Sequence, residues 1–556
     1  MNNRKLKILM CSESSFLNSG FGTYAREILS RLHKTNKYTI AEFASYGFVN
    51  DPRDKDIDWI FYANGVKEGD PRYDEYNSRG DNQFGRWRFE KVLLDFRPDI
   101  VIDVRDYWMS AYQGVSPLRK YFHWILMPTV DSEPQQEEWI DTFLSADAIF
   151  TYSDWGANVL SKQSSGKINY IDTASPGVDL DIFKILDKTK LKEKYHLDQD
   201  SIIIGSVMRN QKRKLIPELF ISFRRLLDQL QQNNPSIGEK LYLYLHTSYP
   251  DMGWDIPELL KDNRLSNRVL FSYSCKNCQN IEVKTFSGPQ ITCKKCLQRS
   301  VSFPSVSDGI SSKNLAEIYN LFDLYVQYSI CEGFGMPQVE AGACGVPVAT
   351  VDYSAMCDII HKLKAYAIPI KSKFKELETK AYRVYPDNDV LISYINDFIS
   401  LSKAEVNQKR NEVRSLTEKH YNWDNIAKIW EKYFDKLDQA GFRSNWDDQA
   451  KILNTLPDTS QISISPNQNF DTILGLCKNY LQNLSHIEQQ HILTMLKDCD
   501  YGFSHSGMAI RGFDYKNILE YFRTAIANNN LSEQARSTNL QIEEDFITYA
   551  KMKGQK

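Results

Sequence analysis

No run in the 556-residue chain approaches the about 18 consecutive apolar residues that a membrane-spanning helix needs, so no span is expected. The N-terminal stretch Met1–Leu9 carries Lys5 and Lys7, but its apolar part is too short for a signal peptide. Charge of one sign is also missing. Lys+Arg 68 against Asp+Glu 71 leave a formal net charge of -3. That balance excludes a broadly basic nucleic-acid binder and confines any such contact to a local patch. No internal repeat or low-complexity tract stands out. With 42% hydrophobic, 25% charged and 12% aromatic residues, the chain is no disordered, collagen-like or coiled-coil protein. A cytoplasmic protein of about three or four globular domains is expected.

What is present first is alternation. Leu6–Cys11 (LKILMC) is a short apolar run of the kind that forms a buried parallel strand. A loop, Ser12–Gly22, and a helical pattern (YAREILSRL) follow it. Further strand-like runs are Ile100–Val104, His123–Met127 and Ala148–Tyr152. After a pause at Pro176–Phe183 a second set begins, with strands at Ile202–Val207, Tyr242–His246 and Val269–Phe271 and a helix at Leu215–Leu230. It ends in helix, strand, helix and strand up to Val351. Strands alternating with helices predict parallel sheets covered on both faces, and two sets predict two doubly wound domains. Ligands of such sheets bind beyond the carboxyl ends of the strands, so two facing domains would place a cleft between them. From about Gln439 helical runs dominate, interrupted by the polar segment Leu456–Asn469.

The ten cysteines fall into two classes. Cys11, Cys331, Cys344, Cys357, Cys477 and Cys499 have no regular spacing and read as small buried hydrophobes. Cys275, Cys278, Cys293 and Cys296 form two CxxC pairs fourteen residues apart. A cytosolic chain of this size needs no disulfide framework, and this spacing suits a tetrahedral structural Zn2+ site. Lys276, Lys284, Lys294, Lys295 and Arg299 surround it against Glu282. Four thiolates on one Zn2+ leave a negative core that offsets part of that excess. The module either stiffens a long insertion or contacts an acceptor; a nucleic-acid contact is a further reading.

The most informative string is Ser329–Val351, SICEGFGMPQVEAGACGVPVATV. Gly333 and Gly335 allow a tight turn after a strand. Pro337 suits the first helical position, Gly345 the residue past the helix end, and Pro347 stops continuation. The N-terminus of this short helix, with its free N–H groups and dipole, suits a diphosphate. Glu332 in the loop and Glu340 one turn into the helix suit hydroxyl groups, since a carboxylate accepts from adjacent sugar hydroxyls.

This string resembles the E-x7-E region of the retaining glycosyltransferases of family 4, which have the GT-B fold. Glu332 and Glu340 fall on its two glutamates. The resemblance implies that the first contacts the transferred sugar and the second the ribose, with Gly333, Phe334, Gly335, Met336 and Pro337 also at the donor. It extends to IIIGSVMRNQKRK, where Arg209 and Lys214 match the pair that binds the donor diphosphate. Two fixed cations would stabilise the departing charge. Asn18–Gly22 looks like the family's glycine loop, which puts Gly20 and Gly22 near donor and acceptor, though it lacks full GxGxxG spacing. Ser175–Phe183 resembles the segment linking the two domains, and Trp423 with its helix the terminal helix that packs back on the first. The His often found near the donor sugar is missing; the comparable loop is PTVDSEP, with Asp131 and Glu133, and Asp103, Arg105 and Asp106 end another strand. Asp131 and Asp106 are acceptor-side candidates or plain polar loop residues.

The resemblance covers about residues 1–437 and implies an α/β GT-B chain, with a Rossmann-like acceptor-side domain over 1–183 and a nucleotide-sugar domain over 184–437; the helical runs add an extension over 438–556. The zinc ribbon interrupts the second domain at 272–304. It implies sugar transfer from a nucleotide-sugar to an acceptor hydroxyl with retention and no catalytic metal; the structural zinc comes from the cysteine spacing alone. The acceptor is a carbohydrate, a lipid or a modified DNA base. Two other readings stand beside it: a transferase acting on a hydroxylated base in DNA, and a non-catalytic zinc-bearing nucleic-acid-binding protein.

Overall fold

The computed structural model describes residues 4–70, 72–305, 308–446 and 538–554. Two parallel sheets dominate. In the first, strands β1 (Lys7–Glu13), β2 (Thr39–Ser45), β3 (Ile60–Ala63), β4 (Ile100–Asp103), β5 (His123–Leu126), β6 (Ala148–Thr151) and β7 (Tyr170–Thr173) lie in the order β3-β2-β1-β4-β5-β6-β7. β1 and β2 run parallel from Lys7 opposite Thr39 to Glu13 opposite Ser45. The interior of β1 is fully buried, as a strand covered on both faces must be, and its sequence is accordingly a near-continuous apolar run.

The second sheet comprises β8 (Ile202–Val207), β9 (Leu241–His246), β10 (Val269–Cys275), β11 (Ile281–Thr285), β12 (Gln290–Ile291), β13 (Val301–Ser302), β14 (Leu324–Gln327), β15 (Val348–Val351) and β16 (Tyr366–Ile368). Its order is β12-β13-β10-β9-β8-β14-β15-β16, with β11 also on β10. β10 is longer than its sequence suggests because its end forms an antiparallel ribbon with β11 and β13. A hairpin of β17 (Ile370–Lys375) and β18 (Tyr382–Pro386) stands apart.

Strand order reverses between β1 and β4 in the first sheet and between β8 and β14 in the second. Such switch points are where loops diverge and leave room for a ligand. The segment Ser14–Gly22 follows β1 and Val104–Asp106 follows β4; Arg209–Lys214 follows β8 and Ser329–Gly335 follows β14. Gly20, Gly22, Asp106, Arg209, Lys214 and Glu332 therefore lie at the two switch points, whereas Asp131 follows β5 and the four clustered cysteines lie at the end of β10 and in the ribbon beyond it.

The chain divides into two compact units, one of Met1–Pro128, Ser145–Ile149 and Glu431–Lys556, the other of Thr129–Leu144 and Phe150–Trp430. The described part of the expected 438–556 extension belongs to the first unit rather than standing apart. Trp446 donates to the Pro98 carbonyl at 2.7 Å and its ring stacks on Tyr121. The helix Thr538–Lys553 lays Phe546 against Tyr62, and Lys553 pairs with Asp54 at 2.7 Å. The polar segment Leu456–Asn469 and the helical runs beyond it lie outside the described residues, as do Cys477 and Cys499. Cys11, Cys331 and Cys344 are buried, and Cys357 is partly exposed. Among the described residues no helix is long and apolar enough to cross a membrane.

Candidate active site

The second switch point is built on a backbone bridge. Lys214 and Ser329 form an isolated antiparallel bridge, Leu215 N–H donates to the Tyr328 carbonyl at 3.1 Å, and Ile330 N–H donates to the Arg213 carbonyl at 3.0 Å. The segments after β8 and β14 are thereby held side by side. Glu332 sits at their junction, 4% exposed. Its carboxylate accepts from Lys214, from Arg213 at 2.9 Å, from Gln327 at 2.7 Å and from Ser329 at 2.6 Å. Its own N–H donates to Ser354 Oγ at 2.9 Å. Burial pushes the Glu332 carboxyl up, but Lys214 and Arg213 outweigh it and hold it well below the usual carboxylate range. Burial pulls the Lys214 ammonium down to about 8 against the upward pull of Glu332.

Gly335 then turns the chain. Its φ of 91° lies in the left-handed region, and it caps the helix Met336–Ala343, with Pro337 in the first turn. A side chain on Gly333 would run into the Thr129 methyl. Phe334 is buried against Tyr421, with ring centroids 5.6 Å apart. Glu340 accepts the Tyr319 hydroxyl at 2.7 Å. Burial pushes its carboxyl up to about 7, and the Tyr319 bond pulls it partly back.

Arg209 is not on Glu332. It forks onto Asp251, with bonds of 2.9 and 3.1 Å, and its side chain is 44% exposed. Asp131 lies in the same unit. Its Oδ1 pairs with Arg383 at 3.0 Å and its Oδ2 accepts the Cys331 thiol at 3.3 Å, while Arg383 also holds Glu376 at 2.8 Å. In the first unit Gly20 and Gly22 form the first turn of the helix Gly20–Lys34, capped by Ser19 Oγ accepting from Gly22 N–H at 3.1 Å. Asp106 occupies the N-cap position of Tyr107–Gly114 without bonding that helix's amides through its side chain. Asp103 and Arg105 are buried together, with Gln113 donating to Asp103 at 2.6 Å, so their part is to fix the end of β4.

The four clustered cysteines converge. Their sulfurs all lie within 4.8 Å of one another; Cys275–Cys296 and Cys278–Cys293 are each 3.6 Å apart. Four thiolates at about 2.3 Å from one Zn2+ place sulfurs about 3.8 Å apart in a tetrahedron, so the donor set and spacing fit that ion. Both CxxC turns close alike: Gln279 N–H donates to the Cys275 carbonyl and Leu297 N–H to that of Cys293, each at 2.9 Å. Gln279 and Leu297 both take positive φ.

The chain is similar to known proteins in a segment, in sequence and in fold. Residues 305–393 match the family described as Glycosyl transferases group 1. The chain is 26% identical over 204 residues to D-inositol 3-phosphate glycosyltransferase 2 of Catenulispora acidiphila, covering 37% of this chain and 40% of that protein. It is 28% identical over 229 residues to the capsular polysaccharide biosynthesis glycosyltransferase CapM of Staphylococcus aureus, covering 39% and 45%. The chain thus spans under half the length of these curated relatives. Among solved structures, sucrose-phosphate synthase of Thermosynechococcus elongatus superposes with a TM-score of 0.56 at 18% identity, over 79% of this chain and 100% of that one. HepE of Anabaena in complex with UDP and glucose superposes with 0.51 at 13%, over 78% and 100%. Residues 305–393 thus carry a group 1 glycosyltransferase segment, and the chain shares the GT-B fold of these solved structures.

The matched glycosyltransferase segment contains Glu332, Gly335, Glu340 and Arg383 but neither Arg209 nor Lys214, which reach the site from β8. Arg213 is absent from the sequence candidates. Four cations crowd Arg209–Lys214, and only the Lys214–Ser329 bridge decides which of them face Glu332. Arg383 is missed for a different reason: it lies 52 residues beyond its contact Cys331, on a hairpin with no motif. Glu42 is also missed. It is buried beneath the loop after β1, where it accepts from Ser15 N–H at 2.7 Å and from Trp59 at 2.8 Å.

Proposed function

We propose that the protein is a retaining glycosyltransferase that moves a sugar from a nucleotide-sugar to an acceptor hydroxyl. The observation that carries this is the meeting of Glu332, Lys214 and the glycine-led helix Met336–Ala343 at one switch point. Lys214, Arg209 and the helix N-terminus bind the donor diphosphate, and Arg213 adds a cation beside it. The diphosphate gains charge as the anomeric carbon–oxygen bond breaks, so fixed cations and oriented amides favour the transition state over the bound donor. Glu332 is held ionised and accepts from the hydroxyls of the transferred sugar. Glu340 accepts from the ribose. The acceptor oxygen attacks the face that the diphosphate leaves, its proton passes to the departing diphosphate oxygen, and configuration is retained. The donor class is a UDP-sugar, supported by the UDP and glucose in the HepE structure of the same fold. Asp131 and Asp106 are the acceptor-side candidates.

Cys275, Cys278, Cys293 and Cys296 hold a structural Zn2+ that takes no part in the transfer. The test is donor hydrolysis and transfer across a panel of nucleotide-sugars. Turnover of at least one donor is expected, with loss in Lys214→Ala and Glu332→Ala. Full turnover in either variant would sink the assignment.

A further inference from the structure

The cysteine module is joined to the proposed donor site by one short loop. On the module side, Tyr273 and Phe303 lie with ring centroids 4.6 Å apart, and Phe303 packs on Phe286 at 5.9 Å. Tyr249, in the loop after β9, presses its ring on both Phe286 at 5.9 Å and Phe303 at 5.8 Å. Cys275, Cys293 and Phe303 share the core of the second unit with Leu243 and Phe271, so the module is rooted in the sheet and not hung from it.

On the other side, the same loop grips the cations. Asp251 holds Arg209 by two bonds and is itself bonded by Ser248. Asn210 exchanges bonds with Trp254, donating to its carbonyl at 2.9 Å and accepting its N–H at 2.8 Å. The Trp254 indole N–H donates to the Lys214 carbonyl at 2.8 Å. A second strut is shorter. Ser272, on the strand that ends in Cys275, bonds His246 Nδ1 at 2.8 Å, and the His246 carbonyl accepts from Met208 N–H at 3.0 Å, next to Arg209.

We infer that the metal-bound module sets the position of Arg209 and Lys214 through the loop Thr247–Trp254, so that metal occupancy governs donor affinity; the inference rests on the donor-site reading above. Tyr249 and Trp254 are positioning residues. Neither is assigned a contact with the donor. Without the metal the two knuckles lose the centre that holds Cys275 against Cys296, and the ring cluster loses its fixed edge. Tyr249 then no longer fixes the loop, and two cations that must point at one diphosphate gain freedom that binding has to remove.

The full chain, purified with zinc, is titrated calorimetrically with UDP, GDP, ADP and CDP, and whichever diphosphate binds is the probe. Stripping the metal with a strong chelator should weaken that probe at least about ten-fold, a usual size for coupling between two sites. With zinc retained, Tyr249→Ala should weaken it similarly, Tyr249→Phe should restore it, and Trp254→Phe should weaken it several-fold. Bound zinc should stay near the parent value in all three, and affinity is read at a temperature where each variant is folded. A merely structural part for these residues would lower the melting temperature and leave the Kd of the folded protein unmoved. If stripping unfolds the chain, the zinc-loaded variants decide. Unchanged affinity in Tyr249→Ala overturns the inference and leaves the donor site standing. Binding of none of the four diphosphates to the zinc-loaded parent removes the donor site and the inference with it.

Discussion

Lys214 and Glu332 are 118 residues apart in sequence and form a buried ion pair where the segments after β8 and β14 meet. The backbone bridge between Lys214 and Ser329 makes that pairing unavoidable, because it fixes Lys214 alongside the residues that lead into Glu332. A buried pair of this kind is weak evidence for stability, since desolvation of both ions opposes their attraction. On the proposed function its value lies in holding a carboxylate ionised and a cation oriented before a donor arrives.

Removing one member is therefore costly in a predictable direction. Glu332→Ala leaves Lys214 and Arg213 without their shared counter-ion. It should destabilise the second unit by about 3 kcal/mol, less than a fully dry triad would lose because Arg213 is 43% exposed. Glu332→Gln keeps the shape and the Gln327 and Ser329 neighbours, and should lose less. Because the folded Glu332 carboxyl titrates below its unfolded value, its stabilisation is complete above about pH 5 and declines as pH falls below about 4. Urea melts between pH 6 and 3 on parent and Glu332→Gln check this: the parent should show the steeper acid loss. Transfer by Lys214→Ala should fall by a factor of about 100 to 1000, the usual penalty for one lost donor to developing charge.

Glu340 behaves oppositely. Its carboxyl is pushed up to about 7, so between its unfolded value and 7 the folded state binds the extra proton and stability falls as pH rises. A ribose is best held by the ionised form, which accepts from both hydroxyls. The Kd for a nucleoside diphosphate should therefore tighten from pH 6 to pH 8 more steeply in the parent than in Glu340→Gln. Ionisation of the phosphate is common to both proteins and cancels. Equal slopes would remove Glu340 from the ribose.

How much of this can be read in the residues differs from one feature to the next. The glutamates and the glycine turn are legible because their relations are local: Glu332, Gly335 and Glu340 lie within one strand-turn-helix. The two-sheet architecture is legible because buried parallel strands have to be apolar throughout, as β1 is. The cysteine cluster is legible because pairs of knuckles have a characteristic spacing. The partners of Glu332 are not, because they depend on which of four neighbouring cations the β8–β14 bridge turns inward. Nor is the fork of Arg209 on Asp251, which needs the loop after β9 to fold back. The tail from Arg443 to Trp446 packs in the first unit through paired bonds to Arg4 and Asp99 and one to Pro98 that no periodicity announces.

The glycines give a test of local geometry. Gly335 has φ 91° at the helix cap, a conformation that costs a side chain about 1–2 kcal/mol. Gly335→Ala should lower stability by at least that amount, because its methyl would also meet Gln338 Nε2, and should weaken diphosphate binding by tilting the helix start. Gly333→Ala should do less: its new methyl meets the Thr129 methyl, but its backbone is not in the left-handed region. Gly20→Ala, at the start of the first unit's helix, meets nothing within 4 Å and should change stability by less than about 1 kcal/mol. Thermal melts of the three variants, with diphosphate titrations beside them, should rank them in that order.

The metal centre carries the last prediction. Purified without chelator, the chain should hold about one zinc per molecule by elemental analysis, because four convergent thiolates satisfy one tetrahedral ion completely. Cys275→Ser and Cys293→Ser should each lose it. Both positions are fully buried in the core of the second unit, so the hydroxyl replaces a metal-bound sulfur where water cannot compensate. Because metal binding of this class contributes directly to folding, both variants should melt well below the parent. Cys357→Ser, partly exposed and outside the cluster, should keep both zinc and stability. Competition with a colorimetric zinc chelator after thiol modification gives the stoichiometry independently. A parent protein with no zinc and four freely titrating thiols would remove the site.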